Sequence, residues 1–143
     1  MFSTSHIHPM LVHFPIALAM LGFLFEVINQ LFLKKKGKGI RCGEYILYFA
    51  TISMIVTVLS GYIFTGTFTG ITLEVRNSHV MFAVITTLLL ILSSILYLLA
   101  YKYNEKANKM QQIGLLFYAL AAIAVSITGS LGGTLVYGYM IGL

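Results

Sequence analysis

The sequence predicts an all-α integral membrane protein, a four-helix bundle with up-down-up-down topology and both termini on the outer side of the membrane. Two observations lead to this prediction. Of the 143 residues, 59% are hydrophobic and only 9% are charged, whereas a soluble domain usually carries about 25% charged residues. The apolar residues fall into four long segments, and nearly all the basic residues lie in two of the connectors between them. At this length, residues 1–143 are expected to form a single transmembrane domain.

Each apolar segment is long enough for a membrane helix, which needs roughly 20 mostly apolar residues. Helices are predicted because lipid does not tolerate unpaired backbone groups. The predicted helices cover about residues 10–33, 45–68, 79–101 and 113–137. The connectors KKKGKGIRCGE, TGITLEVRNS and KYNEKANKMQQ are short. Short connectors favour antiparallel neighbours in an up-down-up-down bundle.

The basic residues determine the predicted orientation. Of nine Lys and Arg residues, five lie in the first connector, three lie in the third and only Arg76 lies in the second. Cytoplasmic loops are enriched in Lys and Arg, so the termini and the second connector are expected to face outward. The location predicted for such a chain is the bacterial inner membrane, crossed several times. Topology thus explains the net charge of +5, so the predicted partner is the lipid bilayer and not a nucleic acid.

All four histidines are expected at the outer face. His8 and His13 stand at the start of the first helix, His79 stands at the start of the third, and His6 precedes the first helix in a loop. Imidazole is widely used to bind metals, haem and protons near neutral pH. His8 and His13 are about 140° apart on an ideal helix. His13 and His79 are therefore the expected pair, and His8 is a supporting residue or an alternative ligand if Pro15 distorts the helix.

Proline is expected to shape the start of the first helix. Pro9 is placed at its opening, where the missing N–H has little cost. Pro15 then lies in the second turn, and its distortion frees backbone groups near His13 that need partners. In the second connector, Glu74 and Arg76 are expected to form a loop pair that could orient the ring of His79.

Glu26 is a second ionisable residue deep in the first helix, and it faces away from His13. The expected role is an ion pair with Lys34, or an acid whose side chain snorkels to the inner surface. A place on a proton path and a contact between protomers of a homo-oligomer are the alternatives. Such alternatives are considered because ionisable groups inside a membrane are usually functional.

Small residues lie below the histidines on several predicted helices, Gly61 on the second and Gly129 and Gly133 on the fourth. Close helix packing is their usual role in membranes, but together they also outline a space that suits a flat macrocycle. Tyr137 is expected in the outer aromatic belt, where it could also hydrogen-bond a haem propionate or a quinone. The predicted cofactor-binding residues are His13, His79, His8, Gly61, Gly129, Gly133 and Tyr137, and the predicted metal ligands among them are His13, His79 and His8.

Several classes of site are excluded. The single Cys42 rules out an intrachain disulfide and a Cys-rich iron–sulfur or metal site within one chain. The sequence contains no nucleophile elbow, phosphate-binding loop or HExxH motif. An electron carrier or a subunit is therefore expected rather than a stand-alone enzyme.

Three segments resemble a known family. They are HPMLVHFPIAL, the histidine that opens the third helix, and the C-terminal GGTLVYGYMIGL. Together they resemble domain-of-unknown-function family 2231, small bacterial four-helix membrane proteins with an HPxxVHFP motif. The family pattern maps onto His8, Pro9, His13, Phe14, Pro15, His79, Gly132, Gly133 and Tyr137. Family members commonly have a further histidine two residues after the tyrosine, where this chain has Tyr139. The resemblance implies a site of three histidines and an association with cytochromes and respiratory proteins.

Three functions remain open from the sequence. The first is a membrane electron-transfer subunit that binds b-type haem through the outer histidines and passes electrons between quinone and an outer-face redox partner such as a cytochrome. The second is a copper or zinc site built from His6, His8, His13 and His79. The third is a structural or assembly subunit of a respiratory complex that binds no cofactor.

Overall fold

The structure is a computed structural model that describes residues 7–34, 37, 39–64, 69–103 and 107–139. All regular secondary structure in these residues is helical. Four helices are long and apolar enough to cross a membrane: α1 Ile7–Leu33, α2 Cys42–Phe64, α3 Ile71–Lys102 and α4 Ala107–Gly138. The prediction of an all-α membrane protein with four transmembrane helices is therefore confirmed.

The start of α3 differs from the prediction. The helix begins at Ile71 rather than at His79. The break lies at Gly70, whose φ of +60° belongs to the left-handed region that glycine adopts readily. Glu74 and Arg76 consequently lie within the helix, and the prediction that they lie in a loop is wrong. α4 also begins earlier than predicted, and residues 65–68, the predicted end of the second helix, lie outside the described residues.

Helix α1 is interrupted near Pro15. It is α-helical over Ile7–Leu11 and again over His13–Ile28, with a turn at Val12 between them. Pro15 has no N–H to donate to the carbonyl of Leu11, four residues earlier. The hydroxyl of Thr57 on α2 donates to that carbonyl at 3.5 Å. The expected distortion is confirmed, and the freed backbone group finds its partner on a neighbouring helix.

Polar side chains and small residues join the helices. The hydroxyls of Thr51 and Ser94 lie 2.8 Å apart and link α2 to α3. The Ser93 hydroxyl donates to the carbonyl of Gly114 at 2.9 Å and links α3 to α4. Interhelical hydrogen bonds and close approach at small residues stabilise bundles in lipid, where the hydrophobic effect between helices is weak. The fully buried core consists of Ala19, Leu47, Ala50, Leu90, Tyr97, Tyr118, Ala121 and Val125.

The helices bring two chemically different groups of residues to opposite ends of the bundle. At one end, the start of α1 contacts the end of α2, and the start of α3 contacts α4 near its end. We call this the histidine end, and it contains His8, His13, Ser60, His79 and Gly132. The other end, the basic end, contains Lys34, Arg41, Lys102 and Lys109. That the basic end faces the cytoplasm stays a prediction from the charge distribution.

Glu26 lies towards the basic end but does not pair with Lys34. Its side chain is 1% exposed and accepts a hydrogen bond from the amide of Gln30 at 3.1 Å. The ammonium of Lys34 instead bonds the side-chain oxygens of Asn108 and Gln111 on α4. The predicted ion pair is therefore wrong, because the two side chains point to different neighbours.

Candidate functional site

Two histidine rings meet at the histidine end. The rings of His8 on α1 and His79 on α3 have centroids 6.3 Å apart and are nearly perpendicular, at 85°. The sequence favoured His13 as the partner of His79, whereas the ring contact in the structure is made by His8. His13 lines the same cavity but is exposed, whereas His8 is half-buried against His79.

The hydrogen bonds of the two rings define their tautomers. The Nδ1 atom of His79 lies 3.0 Å from the carbonyl oxygen of Thr128, which can only accept, so Nδ1 carries the proton. The Nδ1 atom of His8 lies 2.9 Å from the hydroxyl of Ser60. That hydroxyl donates its own hydrogen to the carbonyl of Thr57 at 2.7 Å, so it accepts from His8. In both neutral rings the lone pair is therefore on Nε2.

No described residue forms a hydrogen bond with either Nε2 atom. A histidine that ligates a metal almost always donates its other ring N–H to a carbonyl, carboxylate or water, which sets the tautomer and the ring orientation. His79 has this arrangement with a backbone carbonyl, and His8 has an equivalent one with the Ser60 hydroxyl. Each ring therefore offers one oriented lone pair at the same end of the bundle.

Glycines on the neighbouring helices allow the rings to approach. A Cβ at Gly61 on α2 would lie 3.0 Å from Cε1 of His8, and a Cβ at Gly132 on α4 would lie 3.1 Å from Cε1 of His79. Both distances are tighter than ordinary van der Waals contact. The predicted role of Gly61 at the site thus has a steric basis, since a larger residue would displace the His8 ring.

A cavity of about 520 Å³ opens beside the two histidines. Ligand sites in proteins usually have volumes of about 300–1,000 Å³ and mostly apolar walls. The walls here are mainly apolar, and the cavity-lining residues named as candidates from the sequence are His8, His13, Gly61, His79, Gly129, Gly133 and Tyr137. Every candidate cofactor-binding residue predicted from the sequence therefore lies around this one cavity.

The two glycines of α4 differ in their surroundings. A Cβ at Gly129 would lie 3.2 Å from Cδ1 of Ile16 on α1, so this glycine serves helix packing. A Cβ at Gly133 would meet no atom within 4 Å, so this glycine borders open space in the cavity wall. Tyr137 also lines the cavity and is 75% exposed, as expected for a residue at the membrane interface.

Charged and polar residues at the cavity have specific positions. Arg76 lines the cavity from α3 and is the lining residue with a permanent charge among those the structure describes. Glu74 or Arg76 was expected to orient the ring of His79. In the structure, the hydrogen bond from His79 to the Thr128 carbonyl orients the ring instead. Ser60 and Thr128 hold the rings but were not predicted. The position of Ser60 next to Gly61 was a weak signal in the sequence for a role at the site. The Thr128 carbonyl gives no signal in the sequence, because it belongs to the backbone.

A site made of protein ligands alone would need more donors. Within the described ranges, no three His, Cys, Asp or Glu side chains are close enough to share one metal ion. His6, the fourth ligand proposed for copper or zinc, lies outside those ranges. The metal ligand set of His13, His79 and His8 stays a prediction, with His8 and His79 as the two members in contact.

Comparison with known proteins places the chain in a family. No curated protein and no solved structure matches it. One family model matches residues 4–143 and carries the description "Predicted membrane protein". This match covers nearly the whole chain and confirms the resemblance based on the sequence: the protein belongs to domain-of-unknown-function family 2231.

Proposed function

We propose that the protein is a membrane electron carrier that binds b-type haem through His8 and His79 in the cavity at the histidine end. The observation that carries this proposal is the pair of imidazoles from two helices, each with its Nδ1–H bonded to the protein and its Nε2 lone pair available. Haem bound by two histidines is an established arrangement in electron carriers and in helical bundles. His8 thus replaces His13 in the ligand pair expected from the sequence.

The spacing of the rings fits a shared metal ion. Two metal–imidazole bonds of about 2.0–2.1 Å would account for about 4 Å of the 6.3 Å between the ring centroids. The remaining distance is close to twice the radius of an imidazole ring. The centroid separation is therefore compatible with both imidazoles binding one iron atom.

The donor set favours haem over copper or zinc. A porphyrin supplies four nitrogen ligands itself, so two histidines complete the coordination of its iron. Zinc sites usually use three or four protein ligands, and here those would have to include His13, His6 or a residue of another chain. The apolar walls of the cavity suit the macrocycle, and Arg76 at the cavity could interact with its propionates. When bound, haem supplies a centre that accepts and releases one electron.

The partners follow from the position of the site. If the basic end faces the bacterial cytoplasm, the cavity opens towards the outer side of the inner membrane. Quinone in the bilayer and a redox protein on the outer side, such as a cytochrome or a respiratory complex, would then be the electron donor and acceptor. Tyr137 is exposed at this end and offers a hydroxyl for hydrogen bonding to either a quinone or a propionate.

The test is a visible spectrum combined with metal analysis. The protein is purified from cells supplied with a haem precursor, and a known b-type cytochrome produced in the same cells controls for haem supply. We expect an intense Soret band and a sharp α-band on reduction, with one haem per chain. The proposal is wrong if the control protein is loaded and this protein shows no haem bands. Stoichiometric copper or zinc would indicate the alternative site, and no metal at all would indicate a cofactor-free subunit.

Ser60→Ala is expected to weaken haem binding by about 10–100-fold, the usual cost of removing a partner that orients a metal ligand. The substitution removes the hydroxyl that accepts the Nδ1–H of His8 and leaves the ligand atom in place. Titration of the haem-free protein with haem in detergent measures the change. Ser126→Ala is the matched control, because Ser126 also lines the cavity and its hydrogen bonds to described residues lie within α4 and to Met20. Equal affinities for the two variants would contradict the orienting role of Ser60.

A further inference from the structure

Glu26 is a carboxyl group enclosed by all four helices. It is 1% exposed, and its Oε1 atom accepts hydrogen bonds from the amides of Gln30 at 3.1 Å and Asn29 at 3.5 Å. The hydroxyl of Tyr97 on α3 lies 2.8 Å from the same Gln30 amide nitrogen. The second oxygen, Oε2, is fully buried and has no partner among the described residues. Oε1 is therefore a hydrogen-bond acceptor, whereas Oε2 is unpaired among the described residues.

Among the residues that the structure describes, the groups around Glu26 provide no positive charge to stabilise a carboxylate. On α1 its hydrogen-bond partners are neutral amides, and on α3 and α4 the nearby titratable groups are the phenols of Tyr97 and Tyr118. On α2 the nearby group is Glu44, which is 4% exposed and accepts a hydrogen bond from Arg41 at 2.8 Å. The cation of Arg41 is therefore engaged by Glu44, which raises the pKa of the Arg41 guanidinium. A buried charge without a partner costs several kcal/mol or more, and a like charge on Glu44 would add to that cost.

A polar route leads from Glu26 to the basic end. The amide of Gln30 also contacts the Tyr97 hydroxyl at 2.8 Å and the backbone carbonyl of Gln111 at 3.2 Å. The side chain of Gln111 bonds the exposed ammonium of Lys34. Polar atoms therefore continue from the buried carboxyl to the surface, whereas the histidine cavity lies at the opposite end.

Two further observations indicate that the residues around Glu26 do more than pack the helices together. The α-helix changes to a π-helix at Asn29–Leu33, which begins three residues after Glu26, and π-helical turns occur frequently at functional sites. Tyr118 is a fully buried residue beside Gly22, one turn before Glu26, and its hydroxyl also has no hydrogen-bond partner within the described part of the chain. Buried polar atoms without partners are rare in proteins and call for an explanation such as internal water or a bound ion.

We propose that Glu26 is a proton-binding site inside the membrane, neutral at pH 7, with Oε2 carrying a proton that exchanges with water at the basic end past Gln30. The proton comes from that water and returns to it, so no other reactant is needed. This site is separate from the histidine cavity and does not depend on the proposed haem. The ligand is the proton itself, since the side-chain groups that contact Oε1 are donors, which do not bind a metal cation.

Infrared spectroscopy of the protein in lipid vesicles tests the proposal directly. The chain has only four acidic side chains, so the carbonyl band of a neutral carboxylic acid can be assigned by substitution. At pH 7 we expect one such band, with a shift to lower frequency in D₂O. Glu26→Gln, which is close in shape, should abolish the band, and Glu44→Gln should retain it. Absence of the band in the unsubstituted protein, or its persistence in Glu26→Gln, would overturn the proposal.

The exchange route has its own test. Gln30→Leu is expected to remove the rapid component of the D₂O-induced band shift, because it replaces the polar group between Glu26 and the surface. Gln112→Leu is the matched control, since Gln112 is exposed and lies beside Gln111. If Gln30→Leu exchanges as fast as Gln112→Leu, the route through Gln30 is wrong. Glu26→Asp should keep a neutral acid band at a shifted position, which distinguishes loss of the acid from loss of folding.

Discussion

Replacing His8 with alanine is expected to abolish haem binding, whereas replacing His13 with alanine should leave it intact. Both side chains line the same cavity, but only the ring of His8 contacts the ring of His79. The His8 ring is also held by Ser60. Loss of a ligand should weaken binding by more than about a hundredfold, the upper limit for loss of a residue that merely supports a ligand. His79→Ala should have the same effect as His8→Ala.

The measurement is a haem titration of each purified variant, with the Soret band as the signal. Addition of free imidazole to His8→Gly should restore the spectrum of a six-coordinate haem, because the small molecule can occupy the space of the lost ring. This rescue separates ligand loss from unfolding. If His13→Ala loses haem and His8→Ala retains it, the ligand pair expected from the sequence is the correct one.

The sequence alone does not determine which of His8 and His13 contacts His79. Helix periodicity establishes that the two residues cannot face the same way on a regular helix. It does not say which one faces the bundle, since that depends on Ser60 and Gly61, about 50 residues away along the chain. The site residues were predicted because composition and position mark them, but their pairing is a tertiary property.

Local chemistry explains the predictions that succeeded. The apolar segments are long enough to define four membrane helices without any tertiary information. Pro15 must disturb its helix because it lacks an N–H and collides with the preceding turn. The partner that Leu11 gains, the Thr57 hydroxyl, could not be predicted, because it depends on the register of α2 against α1.

Helix ends and buried acids were predicted less well, for physical reasons. The segment ITLEVRNS contains charged and polar residues, so it resembles a loop when judged by membrane hydropathy alone. A helix can nevertheless continue beyond the bilayer, and here the signal for its start is Gly70. Glu26 was expected to reach Lys34 near the surface, but the amides of Gln30 and Asn29 on α1 satisfy one of its oxygens inside the bundle.

Gly43→Ala is expected to destabilise the bundle by about 2 kcal/mol. A Cβ at Gly43 would lie 2.7 Å from the backbone nitrogen of Glu26 and 2.8 Å from its Cβ. The backbone cannot move away without displacing α1 from α2. Overpacking of this kind typically costs about 1–3 kcal/mol, and we expect the upper end of that range. The intrinsic preference of alanine for helices returns at most about 1 kcal/mol.

Gly133→Ala is the matched control for this prediction, because a Cβ there would meet no atom within 4 Å. Both glycines lie near a helix end, so the gain from helix propensity is similar and cancels in the comparison. Reversible unfolding in mixed micelles measures the free energy of unfolding of each variant. A lower stability for Gly43→Ala than for Gly133→Ala would show that close packing of Gly43 against Glu26 holds α1 to α2. Equal stabilities would mean that α1 can move away from α2, and that the close packing around Glu26 does not restrain the helices.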